Sequence, residues 1–329
     1  MSKIFRTIVE VKQYPYRIGF TTPMLMLGSC FTDNIGSMLA ERKFPVLINP
    51  FGVVYNPVSV AMVLNRIVTG NAYHEKDLLL HNNLWLSLHH HTSFSRVDKA
   101  DCLTNINRQL ENAHTHWSKA QRLIITFGTA RIYQLNKTGE PVANCHKIPA
   151  KEFTRRMLSV DEIVEEWSNL LNSCFASKPN LKVLFTVSPV RHWKDGAHGN
   201  QLSKSTLLLA IAQLVDRFPE NVFYFPSYEI MMDDLRDYRF YADDMLHPSP
   251  MAIEYIREKF RGAFISPEDD KIIKEIESII QACRHRPFNA NTKEYKLFVV
   301  KTRQKIADME ARIPGVSFEE ELLSLPANL

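Results

Sequence analysis

Five short apolar runs, Met24–Gly28, Val46–Ile48, Leu123–Phe127, Val183–Val187 and Val222–Phe225, punctuate stretches of helical periodicity. The runs are nearly continuous rather than alternating, the pattern of strands covered on both faces in a parallel sheet. Between them the spacing predicts helices over about Asp33–Arg42, Val58–Thr69, Val160–Phe175 and Lys204–Phe218. Strand alternating with helix predicts an α/β three-layer fold.

Two regions depart from this rhythm. From about Gly70 to Trp117 histidine, tryptophan and serine interrupt it, which predicts an insertion or lid beside the sheet, closed by a helix over about Lys99–Trp117. Beyond Phe264, Ser266-Pro267-Glu268-Asp269 combines an N-cap serine, a proline at the first helical position and an acid at the capping-box position. Ile272, Ile273, Ile276, Ile279 and Ile280 then form one stripe. A second helix, about Thr292–Arg312, carries Tyr295, Val299, Thr302, Ile306 and Met309 on one face and stops at Ile313-Pro314-Gly315. The expected division is a main domain over residues 1–264 and a helical extension over 265–329. The extension either packs on the main domain or pairs two copies into a homodimer.

Composition narrows the class without naming it. With 45% apolar and 23% charged residues the chain reads as an ordinary globular protein. Its net charge of +4, with no basic run, gives no sign of nucleic acid. The stretch Met1–Arg6 lacks the apolar core of a signal peptide, and no run reaches membrane-spanning length. Cys30, Cys102, Cys145, Cys174 and Cys283 are scattered, without a Cys-x-x-Cys pair, so neither a zinc knuckle nor a disulfide framework is expected. A reduced, cytoplasmic setting is the expectation.

The candidate chemistry begins at Gly28-Ser29-Cys30-Phe31, where an apolar strand stops and a helical pattern starts. Such a turn presents a serine hydroxyl beside the N–H groups of a helix start, which can hold an oxyanion. A nucleophilic serine needs a histidine and a group to orient it. Asp243-Asp244-Met245-Leu246-His247-Pro248-Ser249 supplies both, between the last strand and a helical stretch over Pro250–Arg261. Asp244 can accept from the imidazole Nδ1–H and leave Nε2 to take the serine proton. The other reading of the same residues is an aspartate capping a turn beside a surface histidine.

Gly28-Ser29-Cys30-Phe31 resembles the signature of the GSCFA family, and further blocks extend the likeness over about residues 20–260. They are Asn49-Pro50-Phe51-Gly52-Val53-Val54-Tyr55-Asn56-Pro57, Phe127-Gly128-Thr129-Ala130, Val142-Ala143-Asn144-Cys145-His146-Lys147, Thr186-Val187-Ser188-Pro189-Val190-Arg191-His192 and Asp244-x-x-His247. The family resembles the SGNH, or GDSL-like, hydrolases. That resemblance implies a flavodoxin-like sheet and a Ser-His-Asp site for esters, with Ser29 as nucleophile, Gly52 in the oxyanion hole, and Asp244 and His247 completing the set. The superfamily's Gly-x-Asn block reads Gly128-Thr129-Ala130 here, so its asparagine donor is absent. Losing one oxyanion donor typically costs about 10²–10³-fold in rate, which makes Asn144 the first candidate replacement, ahead of Asn56 and Thr129.

The function expected is that of a serine esterase or O-deacylase acting on a small acylated molecule, with acetylated carbohydrate the class implied by the wider resemblance. Backbone N–H groups of Ser29 and Gly52, aided by Asn144, would hold the oxyanion. The alternatives are an acyltransferase using the same site and a ligand-binding protein whose catalysis has decayed. No cofactor or metal is expected. In His89-His90-His91 only alternate histidines on an extended segment share a face, and no nearby acid completes a ligand set. The segment Trp85–Phe94, His91 included, is expected to line the substrate pocket, with Thr129 and His192 as further substrate contacts. Cys30 is expected to be buried and structural. Arg191, His192, Lys194 and Asp195 either bind an anionic or hydroxylated substrate or form a solvated loop.

Overall fold

The computed structural model describes residues 6–289 and 291–326; Met1–Phe5, read above for targeting, lies outside them. In chain order the strands are β1 (Met24–Gly28), β2 (Val46–Ile48), β3 (Leu79–His81), β4 (Leu84–Leu86), β5 (Arg122–Phe127), β6 (Arg131–Leu135), β7 (Pro141–Val142), β8 (Phe153–Met157), β9 (Lys182–Val187) and β10 (Val222–Phe225). The helices are α1 (Cys30–Glu41), α2 (Pro57–Thr69), α3 (Lys99–Lys119), α4 (Val160–Ser177), α5 (Gly196–Arg217), the short α6 (Ser227–Glu229), α7 (Pro250–Phe264), α8 (Pro267–Arg284), α9 (Lys293–Arg312) and α10 (Glu319–Ser324).

The central sheet has five strands in the order β10-β9-β5-β1-β2, every pairing parallel. Counting only these strands along the chain, the order is the doubly wound 2-1-3-4-5. Alternate side chains enter two different cores, which is why the strands are apolar throughout. Leu25, Leu27, Leu123, Ile125, Val183 and Phe185 pack with α2, α3, α4 and α5 on one face. Met24, Met26, Ile124 and Leu184 pack with α1, α7, α8 and α9 on the other.

The helices refine the expected organisation. The helix expected to close a lid, α3, is a structural part of the first core. Its stripe Cys102, Ile106, Leu110, Ala113 and Trp117 is buried there, and α3 leads directly into β5. The apolar stripes of α8 and α9 are consumed inside the chain, where Ile273, Ile276, Val299 and Ile306 join the second core with Phe31 and Phe264. Of the two roles expected for the extension, packing on the main domain is the one these contacts show. Helix α5 starts eight residues before the expected Lys204, for a reason that belongs to the site. A small antiparallel sheet, β7-β6-β8, was not anticipated; it forms a flap beside the carboxyl ends of the central strands.

Candidate active site

In a doubly wound sheet the crevice opens where the strand order reverses, at the carboxyl ends of β1 and β5. Gly28-Ser29 and Gly128-Thr129 end those two strands. Gly28 has φ +144°, and a Cβ there would lie 2.3 Å from Thr126 O, so only glycine fits. Its N–H donates to Asn49 Oδ1 at 2.8 Å, and Asn49 Nδ2 donates to Asp33 Oδ1 at 2.7 Å. One asparagine thus ties the end of β1 to the first turn of α1. Ser29 is the N-cap of that helix, its Oγ accepting from Phe31 N–H at 3.3 Å. As an acceptor in this bond, the hydroxyl keeps its own proton for a base.

Asp244 and His247 sit on a loop whose ends, Tyr241 and Pro248, form an antiparallel bridge. Ala242 N–H donates to His247 O at 2.8 Å, and Met245 adopts φ +58° at the tip. Asp244 Oδ1 accepts from the N–H groups of Leu246 and His247, each at 2.9 Å, while Oδ2 meets His247 Nδ1 at 2.5 Å. The backbone donors of His247 and Leu246, ahead of the imidazole, hold this carboxyl down to about 2. An ionised carboxylate only accepts, so Nδ1 carries the proton and a neutral ring presents its lone pair at Nε2. Ser29 and His247 line one cavity of about 620 Å³. Among the described residues no hydrogen bond joins His247 to Ser29 Oγ, which has only its Phe31 partner.

The remaining expected residues are distributed as follows. Gly52 packs against His91, and a Cβ on it would lie 2.2 Å from His91 Cβ. Its N–H closes a turn onto Asn49 O at 2.7 Å, and the Ser29 N–H continues the β1–β5 ladder to Thr126 O at 3.2 Å. Neither N–H is therefore free for an oxyanion, which corrects that expectation. The Cys30 N–H is the first of α1 and has no intrahelical acceptor. Asn56 is spent as the N-cap of α2, bonding Ser59 through both amide atoms. Thr129 lines the cavity but its hydroxyl engages Ser203 Oγ at 3.0 Å. Asn144 also lines the cavity; Oδ1 accepts from His146 N–H in a local turn, and Nδ2 reaches Thr92 Oγ1 only at 3.3 Å. Ala130, at the missing asparagine's position, is fully buried in the apolar core.

His91 and His192 both line the cavity. His91 also caps the turn Thr92–Phe94. His192 lies over Gly128, with Nε2 3.2 Å from where a Cβ would stand. Burial, and then the charge of Lys204, press its pKa down to about 4, so the ring is neutral. Cys30 is partly exposed and lines the cavity beside Ser29, rather than being buried as expected. Its thiol is pushed up by burial and by Asp33, which keeps it protonated and a poor competitor.

Beneath the cavity lies a polar floor on the first turns of α5, most of it ahead of the expected start at Lys204. Asn200, Ser203 and Lys204 are spaced i, i+3, i+4, so they share one face of α5, and that face points at the ends of β5 and β9. Asn200 Oδ1 accepts from His192 N–H at 2.9 Å, and Ser203 Oγ accepts from Ala130 N–H at 2.8 Å. Lys204, fully buried, donates from Nζ to Gly128 O and Ser188 O, each at 2.7 Å. Exposed helix starts and buried strand ends call for the same residue types, so spacing alone does not give the direction of this cluster.

The flap contributes Arg131, Tyr133 and Arg155 to the cavity wall, none of them singled out in the sequence. The one local signal is the turn ending at Gly139, whose φ is +74°, between two short segments with Ile132, Tyr133 and Val142. Among the described residues no group of three His, Cys, Asp or Glu side chains is arranged to hold a metal ion. No helix of the described residues is long and apolar enough to cross a membrane.

The model of the GSCFA family matches residues 23–260, and that of the GSCFA domain protein C-terminal domain matches residues 276–329. The chain belongs to the GSCFA family. Nothing matches among curated proteins. Two solved structures resemble this GSCFA chain. One is an acetyl esterase mutant with acetate ion, 11% identical, covering 78% of this chain and 99% of its own, at a TM-score of 0.35. The other is a carbohydrate esterase family 3 protein from Talaromyces cellulolyticus, 10% identical, with the same coverage and a TM-score of 0.36. Scores so low carry no argument, so the function of this GSCFA chain is argued from its own geometry.

Proposed function

We propose that the cavity is the active site of a serine ester hydrolase acting on a small acylated molecule, with an acetylated carbohydrate as the favoured class. One observation carries the reading: a serine with an uncommitted hydroxyl proton and the histidine of an oriented Asp–His pair line the same cavity at the topological switch point. Ser29 Oγ attacks the ester carbonyl as His247 Nε2 takes its proton. The imidazolium then protonates the departing alcohol. Water activated by the same histidine releases the acyl group and regenerates Ser29. Asp244 fixes the tautomer and stabilises the imidazolium throughout.

The oxyanion is held by Cys30 N–H at the start of α1, with Asn144 Nδ2 and the neutral His192 ring as side-chain donors in place of the missing asparagine. A neutral imidazole can donate from one nitrogen without leaving a charge in the pocket. Substrate binding draws the exposed His247 onto Ser29, since catalytic hydrogen bonds commonly tighten only in the complex. A fluorophosphonate probe tests the assignment. It is expected to label the wild-type protein at Ser29 and to fail on Ser29→Ala and His247→Ala. Labelling that persists in Ser29→Ala overturns the assignment.

A further inference from the structure

We infer that the cavity selects an ester whose body carries a fixed anion, a carboxylate or a phosphate; this rests on the hydrolase reading above. Four cationic side chains, Arg131, Arg155, Arg191 and Lys194, line the cavity together with Ser29, and among the described residues no carboxylate does. They come from two segments packed against each other, the flap and the loop after β9. The nearby acids are all engaged. Asp195, its side chain only 2% exposed, lies 3.1 Å from Arg131 Nε and 2.5 and 2.9 Å from the two terminal nitrogens of Arg155. Asp33 accepts from Asn49, and Asp244 holds His247.

One buried carboxylate therefore lies against two guanidiniums, gripping Arg155 through both terminal nitrogens and leaving positive charge over. Arg191 stacks over Trp193 at 5.5 Å, and Lys194 donates to Tyr133 Oη at 2.7 Å. Neither has a carboxylate partner among the described residues. A planar guanidinium held by its neighbours is pre-organised for a bidentate anion. Partial burial in a concave wall also screens it less than open solvent would. The aromatic faces of Trp193, Tyr133 and Tyr55 beside these cations suit the ring of a sugar rather than a bare acyl chain.

The test is calorimetric binding to Ser29→Ala, which needs no turnover. Three probes are compared: the methyl glycoside of an O-acetylated hexuronate, the same O-acetylated hexose 6-phosphate, and the neutral O-acetylated hexose. At least one anionic probe is expected to bind ten times more tightly than the neutral one, with the gap closing as salt is raised. Whichever anion binds more tightly identifies the group recognised. Arg131→Gln and Arg191→Gln, each placed on Ser29→Ala, are expected to bring the preference below threefold. Arg191 supports no ion pair, so its variant keeps the test sound even if loss of Arg131 disturbs the flap. Equal affinity for all three probes, or binding of none, overturns the inference. Anion preference in a protein that fluorophosphonate never labels keeps this inference and discards the hydrolase reading.

Discussion

Ser29 is 1% exposed, held by a glycine that no other residue could replace and by an asparagine bonded on both sides. Across the cavity the side chains of His247 and Asp244 are 51% and 46% exposed, on a loop whose tip adopts left-handed backbone. The nucleophile is built into the core and the base is carried at the surface. A buried serine gains fixed geometry next to a helix start, while a surface base can retreat from the serine and return when substrate fills the gap. The difference teaches where each kind of damage should appear: changes around Ser29 reach stability, changes around His247 reach rate.

The largest expected effects lie where the two halves must act together. Ser29→Ala or His247→Ala should each lower ester turnover on the order of 10⁴-fold or more, and the double variant should be no worse than either alone. An additive double variant, read by steady-state kinetics on a chromogenic acetate ester, would separate the two residues into unrelated sites. Asp244→Asn should cost about 10²–10⁴-fold in kcat through the wrong tautomer, with the unfolding midpoint unchanged.

Stability should divide the other way. Asn49→Ala strands the Gly28 N–H and the Asp33 carboxyl, so chemical denaturation should show a loss of about 1–3 kcal/mol. Asp244→Ala should leave the same denaturation curve in place, its partners being solvated. Equal losses from the two variants would erase the contrast between buried nucleophile and exposed base.

A pH dependence is expected under the buried half. Burial holds Lys204 down to about 7 from an ordinary 10.5. Between those values the unfolded chain keeps a proton that the folded chain has released, so stability rises with pH across that window; it is lost as pH falls from about 10.5 toward 7 and changes no further below. Measured against Lys204→Met, the wild-type unfolding midpoint should climb between pH 7 and 9.5. A constant difference between the two would mean that Lys204 titrates normally and that its two carbonyl partners alone account for its place.

Much of this architecture was legible. The five central strands lie where continuous apolar runs put them, since a strand buried on both faces has nowhere to expose a polar residue. Ser266 caps α8 as its sequence context indicates, accepting from Asp269 N–H at 3.0 Å. The Asp244–His247 hydrogen bond follows from a three-residue spacing in a turn. Local spacing failed where function depended on direction. Lys204 reads as a solvated helix start until two strand-end carbonyls are seen above it. Gly52 reads as a free donor until its N–H is found closing a turn. Arg131 and Arg155 read as unremarkable surface residues until the flap folds them against Asp195.

Periodicity, capping residues and turn spacing are short-range properties, and along this chain they carried the five central strands, most of the helices and the pairing of Asp244 with His247. The meeting of residues 29, 131, 144, 155, 192 and 247 around one cavity depends on contacts far apart in the chain. So does the commitment of each N–H to a partner, because a donor's availability is set by whichever acceptor the fold brings near it. Only the tertiary structure could decide which polar groups were left over for a substrate.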